Sequence, residues 1–132
     1  MNPRTDSYVL DASGLLVSVK QESGIDVVEA AIDQGCAMST VNLSEVMARM
    51  LDLGRSPLAA IQWIESVPLT VYPFDRMQAY QAGLLRPRTR SAGLSFGDRA
   101  CVALAQTLRL PVLTADRAWA TLDLDVTIHL IR

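Results

Sequence analysis

One histidine, one lysine and two cysteines occur in the whole chain of 132 residues, and each scarcity removes a class of chemistry. The single histidine, His129, cannot serve a hydrolase triad from the middle of an alternating C-terminal segment, where it reads as a packed or edge residue. The single lysine, Lys20, lies too early for a phospho-acceptor receiver domain, which needs a late one. Cys36 is isolated and Cys101 lies within the apolar run Ala100 to Ala105, so both read as buried thiols rather than as a disulfide or a zinc site. No glycine-rich loop of the P-loop or dinucleotide type follows the first apolar run. Position 13 is serine, where a haloacid-dehalogenase-like phosphatase would carry its second aspartate. No stretch reaches the ~18 apolar residues of a membrane span, and Met1 to Asp6 lacks a basic-then-apolar signal pattern. These absences together lead us to expect a cytoplasmic protein. Aromatics make up 5% of residues against 50% hydrophobic, so the core should be aliphatic.

What is present alternates. Ser7 to Leu10 reads as a short buried strand and Ala12 to Lys20 as a helix starting at its end. Gly24 opens a second helix that Gly35 stops. Ala37 to Thr40 is a strand and Val41 to Leu53 a helix, with Gly54 suited to left-handed geometry at its end. Ser56-Pro57 caps a helix running to about Val67, and Leu69 to Tyr72 is a strand closed by Pro73. Asp75 caps the helix bearing Met77, Tyr80, Leu84 and Leu85, and Arg86 to Arg90 breaks the pattern as a loop or helix exit. Ser95 caps a long apolar helix to about Leu108. A strand from Pro111 to Thr114, a helical turn around Trp119 and a strand from Val126 to Leu130 complete the chain. Strands alternating with helices over this length predict one α/β domain spanning residues 1–132, with a parallel sheet.

Four carboxylates stand out against this frame. Asp11 closes the first strand, and Asp116 follows the Val112 strand after one small residue. Glu45 and Asp98 lie just inside helices. If the strands are parallel, all four gather at their carboxyl ends, where open α/β sheets place their sites. Each alone has an explanation as a cap: Asp11 and Asp116 precede helical turns, and Asn42-Leu43-Ser44-Glu45 and Ser95-Phe96-Gly97-Asp98 have capping-box spacing. Gathered together, four like charges repel unless protons or a cation neutralise them. Hard oxygen donors without paired bases suit Mg2+ or Mn2+.

The formal charge of −2 conceals a second pattern. With the quartet set aside, 12 basic residues face 10 acidic ones, and all the basic residues but Lys20 are arginine. Arginine's planar fork suits phosphate recognition, although a high-GC genome produces the same bias. Arg86, Arg88 and Arg90 lead towards Asp98, and Arg99 and Arg117 each follow a proposed ligand. These five are the candidate residues for contacting a phosphate backbone.

Four segments in register carry a family resemblance: Val9-Leu10-Asp11-Ala12-Ser13, Val41 to Val46, Gly97 to Ala105, and Leu113 to Trp119. A weaker echo is Val71 to Asp75. In these the chain resembles PIN-domain proteins, specifically VapC-type toxins of bacterial type II toxin–antitoxin pairs. The resemblance implies a three-layer α/β/α sandwich with a central parallel sheet. It also implies a Mg2+- or Mn2+-dependent ribonuclease site in which Asp11, Glu45, Asp98 and Asp116 match the acidic quartet. Ser13 and Thr114 match its supporting hydroxyl residues. A VapB-type antitoxin and homodimerisation follow from the same resemblance. Met47, Met50, Leu51, Leu58, Ile61, Trp63 and Ile64, on consecutive helices, are mostly core but could leave a groove for that partner. Two rival functions remain open from the residues: a PIN-like module that binds RNA or protein without cleaving, and a metal-dependent phosphatase.

Overall fold

The computed structural model describes residues 5–132; Met1 to Arg4, part of the stretch read for a targeting signal, lie outside the described residues. Five strands form one sheet: β1 (Tyr8–Leu10), β2 (Cys36–Ser39), β3 (Leu69–Tyr72), β4 (Val112–Thr114) and β5 (Ile128–Leu130), in the order β3-β2-β1-β4-β5. Every pairing is parallel. Seven helices accompany them among the described residues: α1 (Ala12–Lys20), α2 (Ile25–Gln34), α3 (Thr40–Asp52), α4 (Pro57–Ser66), α5 (Arg76–Leu84), α6 (Arg86–Thr89) and α7 (Phe96–Leu108). A 3₁₀ turn spans Arg117–Thr121. The expected three-layer α/β/α sandwich is what forms.

Alternation along the strands divides the core into two halves. Leu10, Cys36, Met38 and Leu113 pack with Leu15, Val17, Val28, Val46 and Met50 from α1, α2 and α3. Val9, Ala37 and Val112 face the other way, against Cys101, Val102, Leu104 and Trp119. Both cysteines are buried thiols, as read from the sequence. Chain order runs outward from β1 in both directions, so the crevice at the carboxyl end of β1 is the sheet's switch point.

Local chemistry sets most boundaries. Gly35, at φ +120°, ends α2 and lies where a Cβ would press on the Thr5 carbonyl. Ser56 accepts from Ala59 N–H at 3.2 Å, with Pro57 at the start of α4, where a missing N–H costs nothing.

Two expectations need correction. The β2–α3 junction lies one residue earlier than read: Ser39 is the cap, its Oγ accepting from Val41 N–H at 3.2 Å. Asn42 is therefore inside α3 and caps nothing, and Glu45 stands in its second turn. The Arg86–Arg90 stretch, read as a loop or helix exit, follows the end of α5 and contains the short helix α6. Pro87 fits a first helical turn, and the Thr89 hydroxyl donates to the Leu85 carbonyl at 2.9 Å.

Candidate active site

Asp11 is the first residue beyond β1, and its position follows from capping. Its Oδ1 accepts from Gly14 N–H at 2.8 Å, starting α1. Thr114 ends the neighbouring β4 and donates its hydroxyl to Asp11 Oδ2 at 2.6 Å. Ser13 Oγ lies 2.9 Å from both carboxylate oxygens and accepts from Ala115 N–H at 3.2 Å. Thr114 Oγ1 in turn accepts from Asp116 N–H at 3.0 Å. The two supporting hydroxyls thus join the ends of β1 and β4 around one carboxylate that is 3% exposed.

The remaining acids approach from separate elements. Asp116 caps the 3₁₀ turn through Ala118 N–H at 3.0 Å. Asp98 forms a complete capping box: its carboxylate accepts from Ser95 N–H at 3.0 Å and Ser95 Oγ accepts from Asp98 N–H at 3.2 Å. Glu45 accepts from the Asn42 amide at 2.9 Å. A Cβ built on Gly97 would fall into the Glu45 carboxylate, so Glu45 lies directly on the backbone beside Asp98.

Electrostatics tie the group together. Burial pushes the Asp11 carboxyl up to about 6, against hydrogen bonds from Thr114, Gly14 and Ser13 that favour its ionised form; the charge of Asp98 raises it further. Asp98 is also raised, chiefly by burial, and the charge of Asp116 adds to the effect. Beneath them, burial drives the Cys101 thiol well above its ordinary value, and the charges of Asp11, Asp98 and Glu45 reinforce this. Cys101 is thereby held as an inert thiol.

Among the described residues no basic side chain pairs with any of the four acids; the ion pairs are Lys20–Glu22, Arg88–Asp125 and Arg132–Glu22. Nor, among the described residues, do any three His, Cys, Asp or Glu side chains stand close enough together to hold a metal ion as placed. The acids share one edge and one field without being clenched. Asp11 is buried and fixed, while Glu45 and Asp116 are exposed at its rim. The donor set, all carboxylate oxygen beside hydroxyls, has the chemistry that suits a hard divalent cation.

The candidate arginines separate into two groups. Arg88 is tied to Asp125 at 3.1 Å and to the Asp123 carbonyl at 2.6 Å. Arg99 donates to the Ala82 carbonyl at 3.0 Å and lies over the Phe96 ring, and Arg117 donates to the Arg132 carbonyl at 2.7 Å. Arg86 and Arg90 are exposed. His129 is exposed on the edge strand β5, its ring edge-to-face with Tyr8, away from the acids. The residue that sequence reading misplaced is Asn42: its spacing from Glu45 was visible but was read as a cap.

The PIN domain family model matches residues 8–124. The chain belongs to this family. No curated protein gives a sequence match. Solved structures do match this PIN domain across nearly its full length. The DNA-bound VapBC of Salmonella typhimurium is 18% identical with a TM-score of 0.75, covering 97% of this chain and 100% of that one. VapBC-5 of Mycobacterium tuberculosis is 26% identical with a TM-score of 0.63, covering 97% and 99%. VapC20 of the same organism, a sarcin–ricin-loop-cleaving toxin, is 15% identical with a TM-score of 0.69, covering 89% and 97%. The likeness to VapC-type PIN proteins read from the sequence is borne out in family and fold.

Proposed function

We propose that this PIN domain is a Mg2+- or Mn2+-dependent endoribonuclease that acts as the toxin of a toxin–antitoxin pair. One observation carries the reading. Asp11 is almost wholly buried, surrounded by donors that favour its ionised form, and set in the field of Asp98 without a basic counterion among the described residues. Its ionised form is costly, chiefly through burial and further through the Asp98 charge, and a divalent cation would offset that cost.

When bound, a divalent cation supplies Lewis-acid polarisation of a phosphate and a water of lowered pKa. The chain's own residues do the rest. Asp11, Glu45, Asp98 and Asp116 supply the oxygens that hold the cation. Ser13, Thr114 and Gly14 N–H hold Asp11 in one orientation. Arg86 and Arg90, exposed to solvent, are the residues proposed to meet the phosphate backbone. No group on this edge requires the ribose 2′-hydroxyl as nucleophile, so the products should carry 5′-phosphate and 3′-hydroxyl ends.

The partners follow from the same reading. A groove of about 370 Å³ between α3 and α4 is lined by Leu43, Met47, Ile61 and Ile64. Leu51, Leu58 and Ile61 are 41%, 65% and 44% exposed, which marks this face as unfilled. It is the seat proposed for a VapB-type antitoxin helix, in a cytoplasmic protein that acts as a homodimer. Among the described residues, no helix is long and apolar enough to cross a membrane.

A non-cleaving RNA- or protein-binding module is favoured by one observation, the absence among the described residues of three such side chains close enough to hold a metal ion as placed. Incubating purified protein with a mixed-sequence RNA and with a small phosphate monoester, in Mn2+ and then in chelator, separates the readings. The proposal expects Mn2+-dependent RNA cleavage with 5′-phosphate ends and no turnover of the ester. RNA retention without cleavage would assign the binding module, and ester turnover alone a phosphatase.

A further inference from the structure

Asn42 is 1% exposed and stands three residues before Glu45 in α3, a spacing that puts both side chains on one helix face. Its Nδ2 donates to Glu45 Oε1 at 2.9 Å and to the Gly97 carbonyl at 3.0 Å. An amide nitrogen carries two hydrogens, so both are used, one within α3 and one across to α7. The partners fix the amide's orientation, because the flipped form would set its oxygen against two acceptors. Oδ1 is buried and has no partner. A leucine or methionine here would avoid leaving a buried acceptor without a donor, so packing does not explain the residue.

Glu45 has the opposite problem. It is exposed, has three side-chain torsions, and among the described residues receives its hydrogen bond from Asn42 alone. Left to itself it would sample many rotamers. Gly97 completes the restraint from the other side: the Glu45 carboxylate occupies the space that any side chain at position 97 would need.

We propose that Asn42 is a positioning residue of the acidic site. With Gly97 it aims Glu45 at the Asp98 side of the crevice, so the two helices that carry these acids are registered by one buried amide. The inference rests on the ribonuclease reading and adds a residue to it. Groups that orient metal-binding side chains matter nearly as much as those side chains themselves, and their loss commonly costs about 10- to 100-fold in metal affinity or activity.

The test compares wild type, Asn42→Ala, Asn42→Asp, Glu45→Ala and the Asn42→Ala/Glu45→Ala double variant. Mn2+ is titrated by thermal melting and, separately, by RNA cleavage. Asn42→Ala should raise the Mn2+ midpoint in both readouts by about 10- to 100-fold. Asn42→Asp should do at least as much, since it faces two oxygens with oxygens. In the Glu45→Ala background, Asn42→Ala should add little, because interacting sites are not additive. A full-sized Asn42 effect in that background, or an unmoved Mn2+ midpoint, would overturn the role. Should Asn42→Ala not fold, Gly97→Ala carries the test: it leaves the amide intact, displaces Glu45, and should raise the midpoint likewise. An unchanged midpoint in Gly97→Ala overturns the proposal too. A wild type that neither cleaves RNA nor responds to Mn2+ removes the ribonuclease reading and this inference with it. A responsive wild type with additive variants removes only Asn42.

Discussion

The Thr114 hydroxyl lies 2.6 Å from Asp11 Oδ2, the shortest side-chain hydrogen bond among those that the quartet receives. The two residues sit at the next register step after the Leu10–Leu113 pair of β1 and β4, so sheet pairing itself brings donor to acceptor. A buried hydrogen bond to an ionised carboxylate is worth about 1.5–3 kcal/mol. Thr114→Val keeps the shape and removes the donor, and should destabilise the metal-free fold by about that amount in denaturant unfolding. Because Thr114 favours the ionised form of Asp11, the loss should be larger at pH 8 than at pH 4. Equal losses at both pH values would mean that the hydroxyl acts only through packing.

The raised acids make a prediction of their own. Asp11 moves from an ordinary 3.8 to about 6 on folding. Between those values the folded chain holds more protons than the unfolded one, so stability falls as pH rises through the window. The span corresponds to an amount on the order of 3 kcal/mol, and the upward shift of Asp98 acts in the same direction. In chelator, the melting temperature should therefore fall between pH 4.5 and 7. Asp11→Asn should flatten that slope. An unchanged slope in the variant would place the linked protons elsewhere.

A cation binding only the folded state stabilises it by about 1.4 kcal/mol at ten times its dissociation constant, or about 5 °C for a domain of this size. Mn2+ at pH 7.5 should raise the melting temperature well beyond ionic-strength-matched sodium chloride. Acidification should weaken the response, because the carboxylates must be ionised to bind. Asp116→Asn should be neutral or stabilising in chelator, through relieved repulsion, and should blunt the rise with Mn2+. Matching responses to Mn2+ and sodium would argue that Asp11, Asp98 and Asp116 are caps and nothing more.

Much of this was legible in the sequence because the signals are local. Ser95 and Asp98 lie three residues apart and form the capping box that their spacing announces. Asp11, at a strand end before a helix, needed no distant information either. The start of α3 was misread because Asn42 looks like a cap; what fixes its role is the Gly97 carbonyl, 55 residues away. The Arg86–Arg90 stretch looked like a break because three arginines flank a proline. Arg88 is held by Asp123 and Asp125 on a later loop, a contact that no local pattern displays. The apolar run on α3 and α4 disclosed a hydrophobic pair but not which members stay exposed, since that depends on how the two helices meet.

The arginines can now be tested by position. Arg86, Arg88 and Arg90 are all exposed, but Arg88 is bonded to the Asp123–Asp125 loop while no ion pair is formed by Arg86 or Arg90 among the described residues. Replacing Arg86 and Arg90 with glutamine should flatten the salt dependence of RNA binding by about 1.4 in log–log slope, the loss of two phosphate contacts on a single strand. Arg88→Gln should change that slope little and lower the melting temperature instead. Identical slopes for wild type and the double variant would return this segment to a solvated surface.

The proposed metal-dependent ribonuclease site rests on four carboxylates at one sheet edge. Its most direct test is the cleavage rate of one RNA in Mn2+ by wild type, Asp11→Asn and Asp98→Asn, with folding checked by melting. Asparagine caps a helix about as well as aspartate, so the capping role is preserved while the charge is lost. Cation assistance to phosphoryl chemistry is worth several kcal/mol, so each variant should lose at least about a hundredfold in rate while remaining folded. Wild-type rates in both folded variants would contradict the account.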